Sequence, residues 1–172
     1  SQRKGESKGV FFDKALVTDT NKWGTASLTS GSFGQTFKIT PLQLVRAIAS
    51  VVNGGNLMEP YIVSEVLDAQ DRTVLKQEPT AVRQVISAET SKTMCQLLES
   101  VVTEGTAKNA SVAGFSIGGK TGTAQTIPRG NGEYVVSFMG YAPADDPQIA
   151  IYVVVDRPNA VRQDDAKFAT GI

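Results

Sequence analysis

The sequence predicts an α+β fold in which helices flank an antiparallel sheet. Two segments, residues 40–55 and 87–105, repeat apolar side chains at helical spacing. Two later segments, residues 134–143 and 148–156, are rich in the β-branched and aromatic residues that favour strands. The polar turn between them is too short for a parallel crossover, so the two strands are expected to pair antiparallel. The 172 residues suffice for one compact core or one large subdomain.

The composition excludes several classes of function. Seventeen basic residues balance seventeen acidic ones, so no nucleic-acid partner is expected. The chain has no histidine, which removes Ser-His-Asp triads and histidine metal sites. The single cysteine, Cys95, cannot form an intrachain disulfide, and its apolar surroundings predict a buried thiol that acts as a small hydrophobe. We expect neither a metal nor a cofactor.

The first elements in chain order are a loop and a helix. Residues 1–40 are rich in Gly, Ser, Thr and Lys with little periodicity, which predicts mostly surface loop. Thr40 is then a candidate cap, Pro41 suits the first helical position, and Gly54 or Gly55 suits the C-terminal end. The apolar residues of this segment recur at helical spacing and predict a largely buried helix; they are Leu42, Leu44, Val45, Ile48, Ala49 and Val52.

A hairpin and a second helix are predicted next. Residues 61–75 alternate in polarity and break at a polar Asp-Ala-Gln-Asp-Arg run, which indicates two short strands around a turn. Ser87 has the position of an N-cap, with Thr90 where a capping box prefers Glu, and Gly105 is the expected end of the helix. The predicted apolar face of this helix consists of Met94, Leu97, Leu98 and Val101. Three strands and the start of a terminal helix complete the predicted order.

The stretch from Gly114 to Thr121 matches the phosphate-loop pattern G-x-x-x-x-G-K-[ST]. Asp156, at the end of an apolar strand, could then serve as a magnesium-binding aspartate. The flanks argue against this interpretation. The preceding residues are too polar for a buried strand, and the Gly-, Thr- and Pro-containing segment after Lys120 is poor material for a helix. Nucleotide binding therefore stays only a remote alternative.

As a strand, the same stretch alternates its side chains, with Lys120 and Gly122 on one face and Thr121 and Thr123 on the other. If this strand is a twisted edge, the lysine and both hydroxyls can still reach one substrate, and together they suit a carboxylate. Gly122 permits close approach of a ligand, and an edge N–H could point at an oxyanion. The plain alternative is a solvated edge strand with a surface lysine.

Lys-Thr-Gly is the third signature of penicillin-recognising serine enzymes. The sequence around it resembles the transpeptidase domain of class B penicillin-binding proteins of the septal, elongation or sporulation types. Three long segments carry this resemblance in the same order: GQTFKITPLQLVRAIASVVNGG, GGKTGTAQ and SFMGYAPADDPQIAIYVVVDRP. It implies a partial penicillin-binding-protein or serine β-lactamase-like fold, in which residues 1–172 form the C-terminal portion of the domain.

The resemblance also implies a function and a set of site residues. In the family, a serine attacks peptidoglycan stem peptides ending in D-Ala-D-Ala and forms an acyl-enzyme, which a second strand resolves into a cross-link. β-Lactams acylate the same serine. By motif match, Lys120 and Thr123 would be catalytic, with Thr123 N–H in the oxyanion hole. Lys120, Thr121, Gly122 and Thr123 would bind the substrate or penicillin.

The chain departs from the family at the nucleophile. The S-x-x-K match at Ser1–Lys4 is rejected because a glycine-punctuated polar run follows it, and no credible S-x-N motif is present. We expect a chain cut from a longer protein, whose serine and N-terminal membrane anchor lie upstream and whose domain lies outside the cytoplasm. The segment alone is then expected to be inactive. The resemblance implies partners among cell-division or elongation proteins. The alternative functions are a β-lactam sensor, a non-catalytic binding module, or a β-lactamase or carboxypeptidase relative.

Overall fold

The computed structural model describes Gly9, residues 25–32, Gly34 and residues 38–158. The described residues form helices α1 (Thr25–Ser32), α2 (Pro41–Val52) and α3 (Ala88–Thr103) and a short 3-10 helix (Lys108–Ala110). The strands are β1 (Asn56–Met58), β2 (Glu65–Leu67), β3 (Thr73–Lys76), β4 (Ala81–Gln84), β5 (Gly118–Gln125), β6 (Tyr134–Ala142) and β7 (Ile149–Asp156). The predicted α+β fold with an antiparallel sheet is confirmed.

The prediction of mostly loop before residue 40 is wrong for Thr25–Ser32, which form α1. This helix consists of small and polar residues around a single leucine, so it has no apolar stripe from which a sequence pattern could reveal it. Most of the remaining N-terminal segment lies outside the described residues, and so does the predicted helix start after residue 166. The chain divides into two compact units, residues 1–44 and 45–172.

Helix α2 begins with a reciprocal capping box. The Gln43 N–H donates to Thr40 Oγ1 at 3.2 Å, and the Thr40 N–H donates to Gln43 Oε1 at 2.8 Å. The predicted cap at Thr40 and the start at Pro41 are thereby confirmed. At the other end, Gly54 and Gly55 have positive φ values of 84° and 95°, which other residues adopt only with strain. The helix therefore ends where the sequence predicted.

Two separate two-stranded antiparallel ribbons follow α2. β2 pairs antiparallel with β3, as predicted, and β1 pairs antiparallel with β4, a pairing that the sequence did not reveal. The Asp68 carboxylate closes the turn by accepting hydrogen bonds from the backbone N–H groups of Gln70 (2.8 Å) and Arg72 (3.0 Å). These two backbone donors, Arg72 first, hold the pKa of Asp68 below its usual range.

Helix α3 confirms the predicted cap, and it confirms the predicted apolar face in part. Ser87 Oγ accepts a hydrogen bond from the Thr90 N–H at 3.1 Å, and the helix ends at Thr103, two residues before Gly105. The buried residues are Ser91, Cys95, Leu98 and Val102. Of the four residues of the predicted face, Leu98 is buried, but Leu97 is 56% exposed.

Ser91 is a polar residue on the buried face of α3. Its hydroxyl donates to the Val51 carbonyl oxygen at 2.6 Å and accepts from the Gly54 N–H at 3.0 Å. A buried hydroxyl with both a donor and an acceptor partner costs little, so the polar residue can replace an apolar one on the buried side. The contact joins α3 to the C-terminal end of α2.

Strands β5, β6 and β7 form an antiparallel three-stranded sheet in that order, which places β5 at an edge of the described sheet. Tyr141 of β6 is 2% exposed, and its hydroxyl donates to the Cys95 carbonyl oxygen at 2.8 Å. One buried cluster joins α2, α3 and the sheet; it consists of Ile48, Val52, Cys95, Leu98, Tyr141 and Ala144. The predicted burial of Cys95 is confirmed.

A second cluster contains Val102, Ala107 and Phe138. Tyr141 and Phe138 are three residues apart on β6, so their side chains lie on opposite faces of the sheet. Helix α3 and the segment after it therefore enclose the first residues of β5 from both faces. This packing fixes the end of β5 at which the Lys-Thr-Gly run begins.

Burial of the Tyr141 hydroxyl, together with the neighbouring Cys95 and Glu99, raises the pKa of Tyr141 above its usual value. The neutral hydroxyl is favoured in the folded state, so its stabilising contribution is complete below about pH 10 and is lost as the pH rises through the higher folded-state pKa. We expect the free energy of unfolding to fall above about pH 10 in the protein that contains this chain. Chemical denaturation across this pH range measures it.

The matched variant is Tyr141→Phe, which removes the hydroxyl and keeps the ring. It should lower the free energy of unfolding at pH 7 by about 1 kcal/mol or more, because the Cys95 carbonyl loses a buried partner. Its alkaline loss of stability should be shallower than that of the wild type. If the free energy of unfolding fell equally steeply with pH in the two proteins, the alkaline loss of stability would not come from the Tyr141 hydroxyl.

Candidate active site

Lys120 lies in the middle of a strand, which rules out the phosphate loop. A phosphate loop ends at the N-terminus of a helix, whereas the residues around Lys120 form β5 and continue through a hairpin loop into β6. Asp156 ends β7, which is antiparallel to β6, so the parallel crossover that the nucleotide interpretation requires is also lacking here. Lys120 is therefore an edge-strand lysine.

The structure brings Lys120 and Thr121 together. The exposed Lys120 Nζ donates to the Thr121 carbonyl oxygen at 3.0 Å and lies 3.5 Å from Thr121 Oγ1. The two side chains leave the strand on opposite faces, but the long lysine side chain folds back towards the backbone of its neighbour. An ammonium group and a hydroxyl group are thus combined on one stretch of β5. Such a pair can bind a carboxylate.

The other two predicted residues lie further along the strand. Gly122 is half-buried, and Thr123 is exposed. In the register of the sheet, Gly122 pairs with Ser137 and Thr123 pairs with Val136. Gly122 therefore shares its face with Lys120, and Thr123 shares its face with Thr121. All four predicted site residues lie on one continuous segment of β5.

Two glycines that the sequence analysis did not single out position this segment. A Cβ atom at Gly118 would lie 2.3 Å from the Tyr141 ring, and one at Gly119 would lie 2.3 Å from the Phe138 ring. Both glycines are buried, one beneath each aromatic ring. The missing side chains let the rings pack directly on the backbone of β5. The sequence signal for this packing is a pair of glycines in one strand and two aromatic residues in the next. It can be interpreted only when the register of β5 against β6 is known.

Lys-Thr-Gly on a strand at the edge of the described antiparallel sheet is typical of the class of penicillin-recognising serine enzymes. Comparison with known proteins identifies the family within that class. Residues 4–172 match the penicillin binding protein transpeptidase domain. The chain belongs to this family.

Individual relatives agree with the family match. The chain is 46% identical over 164 residues to stage V sporulation protein D of Bacillus subtilis (strain 168), covering 93% of the chain and 24% of that protein. It is 32% identical over 144 residues to the peptidoglycan D,D-transpeptidase FtsI homolog of Mesostigma viride, covering 74% of the chain and 24% of that protein. The chain thus spans about a quarter of the length of these relatives.

The fold agrees as well. The chain resembles the TP domain of Burkholderia pseudomallei penicillin-binding protein 3 with a TM-score of 0.74 and 30% identity, over 97% of this chain and 48% of that one. Among the described residues, no helix has both the length and the apolar character needed to cross a membrane.

Substitutions at the glycines of β5 should separate packing from function. Gly119→Ala places a Cβ atom 2.3 Å from the Phe138 ring and 2.6 Å from the Met139 carbonyl oxygen. We expect it to lower the free energy of unfolding by about 1–3 kcal/mol, the usual cost of overpacking. The control is Gly122→Ala, whose Cβ atom would meet only the rotatable Ser137 hydroxyl within 4 Å.

The control should cost less than about 1 kcal/mol, since the serine side chain can turn away. Denaturant unfolding of the protein that contains this chain measures both values. Equal costs at the two positions would show that the aromatic ring over Gly119 does not fix the strand.

Proposed function

We propose that the chain is the C-terminal part of a peptidoglycan D,D-transpeptidase and that β5 supplies one wall of its active site. The observation that carries this proposal is the Lys120–Thr121 pair on the edge strand of a family transpeptidase fold. The names of the relatives support it, since one of them is a peptidoglycan D,D-transpeptidase. The serine nucleophile would come from the part of the domain that precedes this chain.

The reaction proceeds in two acyl transfers. The serine oxygen attacks the carbonyl carbon of the penultimate D-alanine, the peptide bond to the terminal D-alanine breaks, and that residue leaves with a proton on its amine. The amine of a second stem peptide then attacks the ester, forms the cross-linking amide and returns the serine hydroxyl. A β-lactam acylates the same serine when its ring amide opens. Each transfer passes through an oxyanion that needs hydrogen-bond donors.

Lys120 and Thr121 bind the carboxylate in this scheme. The Lys120 ammonium carries a positive charge beside the Thr121 hydroxyl, 3.5 Å away. Together they bind the carboxylate at the end of the stem peptide or on the β-lactam, because charged hydrogen bonds are the stronger ones. The ammonium also favours the negative charge that develops during acyl transfer and supports proton movement at the serine.

Gly122 and Thr123 contact the acyl donor in this scheme. Thr123 contributes its hydroxyl to carboxylate binding and its backbone N–H to the oxyanion. Gly122 keeps the surface of the strand low between them, so that the acyl donor can lie close to the backbone. These assignments follow the family motif, residue by residue.

The cellular setting follows from the same resemblance. We infer a membrane-anchored protein with this domain on the extracytoplasmic side, where its peptidoglycan substrate lies. We propose a sporulation, septal or elongation role with partners from those machineries, and the 46% identity to a sporulation protein favours the first of these.

Replacement of the lysine tests the proposed site. In the protein that contains this chain, Lys120→Met should lower the second-order rate of acylation by a fluorescent penicillin by about 10²–10³-fold, the usual effect of losing one electrostatic contact to an oxyanion. Stopped-flow or gel fluorescence measures the rate. The matched control is Lys92→Met, which removes an exposed lysine from α3 and should change the rate less than twofold. A variant at position 120 that reacts as fast as the wild type refutes the role of Lys120.

The isolated chain of 172 residues provides a separate test. Its one S-x-x-K match is the rejected one at Ser1–Lys4. The isolated chain should therefore not be labelled by fluorescent penicillin at any concentration that labels the longer protein stoichiometrically. Mass spectrometry of the intact chain would detect the acyl adduct. An adduct on Ser1 would overturn our rejection of that motif.

A further inference from the structure

Ser137 lies directly across the sheet from Gly122. Side chains of cross-strand partners point to the same face, so the serine shares its face with Gly122 and Lys120. A Cβ atom at Gly122 would lie 2.7 Å from Ser137 Oγ, closer than any other atom outside the adjacent residues. The space above Gly122 is therefore bordered by the serine hydroxyl on the side of β6.

The serine is half-buried, and no hydrogen bond from the described residues involves its hydroxyl. A hydroxyl group can both donate and accept hydrogen bonds. Its neighbours on the same face offer no competing polar group on β6, because Val135 and Met139 precede and follow it at the two-residue repeat. The hydroxyl is thus available to a molecule that lies over Gly122.

We propose that Ser137 is a substrate-binding residue of this site. Its hydroxyl hydrogen-bonds a backbone amide or carboxyl group of the acyl donor as that donor crosses Gly122, so that the donor is held by β6 as well as by the edge of β5. This inference rests on the proposed function, because the ligand is the peptide end or β-lactam assigned above. It adds a contact outside the Lys-Thr-Gly motif, on the neighbouring strand.

The experiment measures acylation by a fluorescent penicillin in the protein that contains this chain, with the apparent dissociation constant and the acylation rate determined separately. Ser137→Ala should raise the dissociation constant by about 2- to 10-fold, as expected for the loss of one neutral hydrogen bond. Its acylation rate should stay within twofold of the wild-type rate. Ser137→Thr retains a hydroxyl and should recover most of the affinity. The matched control is Ser64→Ala, at an exposed serine that directly precedes β2.

A double-mutant cycle with Gly122→Ala separates ligand contact from a purely structural role. The alanine methyl occupies the space through which the ligand reaches the serine, so Ser137→Ala should then have little further effect on affinity. The thermal unfolding midpoint of Ser137→Ala should match that of the wild type. An additive cycle, or a lower midpoint that accounts for the loss of affinity, would overturn the inference.

Failure of the inference and failure of the proposed function give different results. If the wild type is not acylated at all, the proposed function and this inference are both wrong. If the wild type is acylated and Ser137→Ala binds penicillin as well as the wild type does, only the inference on Ser137 is wrong.

Discussion

The hydrogen bond from the Tyr141 hydroxyl to the Cys95 carbonyl holds together the parts on which the candidate site depends. It is buried and joins the centre of α3 to β6, while the ring of the same tyrosine lies on Gly118 of β5. One side chain thus fixes a helix and two strands relative to each other. Leaving this buried hydroxyl without a partner would cost more free energy than the hydrogen bond itself contributes. Arrangements that separate α3 from β6 are therefore unfavourable, and the three elements keep one well-defined arrangement.

The exposure of the lysine follows from this arrangement. Gly118 and Gly119 are buried under the two aromatic rings, and Lys120 is the first exposed residue of β5. Larger residues in place of the glycines would push the rings away from the strand and loosen the end of the sheet. The step from buried glycine to exposed lysine therefore marks where the core ends and the exposed part of β5 begins.

Local chemistry made part of this structure predictable from the sequence. The caps at Thr40 and Ser87 were predictable because they depend on residues within one helical turn. The strand at Lys120 was predictable because its flanking segments suit neither the buried strand nor the helix of a phosphate loop. Only part of the buried face of α3 was predictable, since Ser91 is buried because its hydroxyl is bound by Val51 and Gly54, at the distant end of α2. The roles of the paired glycines and of Ser137 needed the register between β5 and β6, which no single segment encodes.

Alternation along a strand places a limit on what the Lys-Thr-Gly-Thr segment can do by itself. Lys120 leaves one face and the two threonines leave the other, so a ligand over either face meets only part of the motif. The lysine overcomes this limit by folding back to the Thr121 carbonyl, which brings its charge to the edge that both faces share. In the proposed site, a ligand along that edge would contact the whole motif. At Gly122, where no side chain intervenes, it can also reach Ser137 on the neighbouring strand.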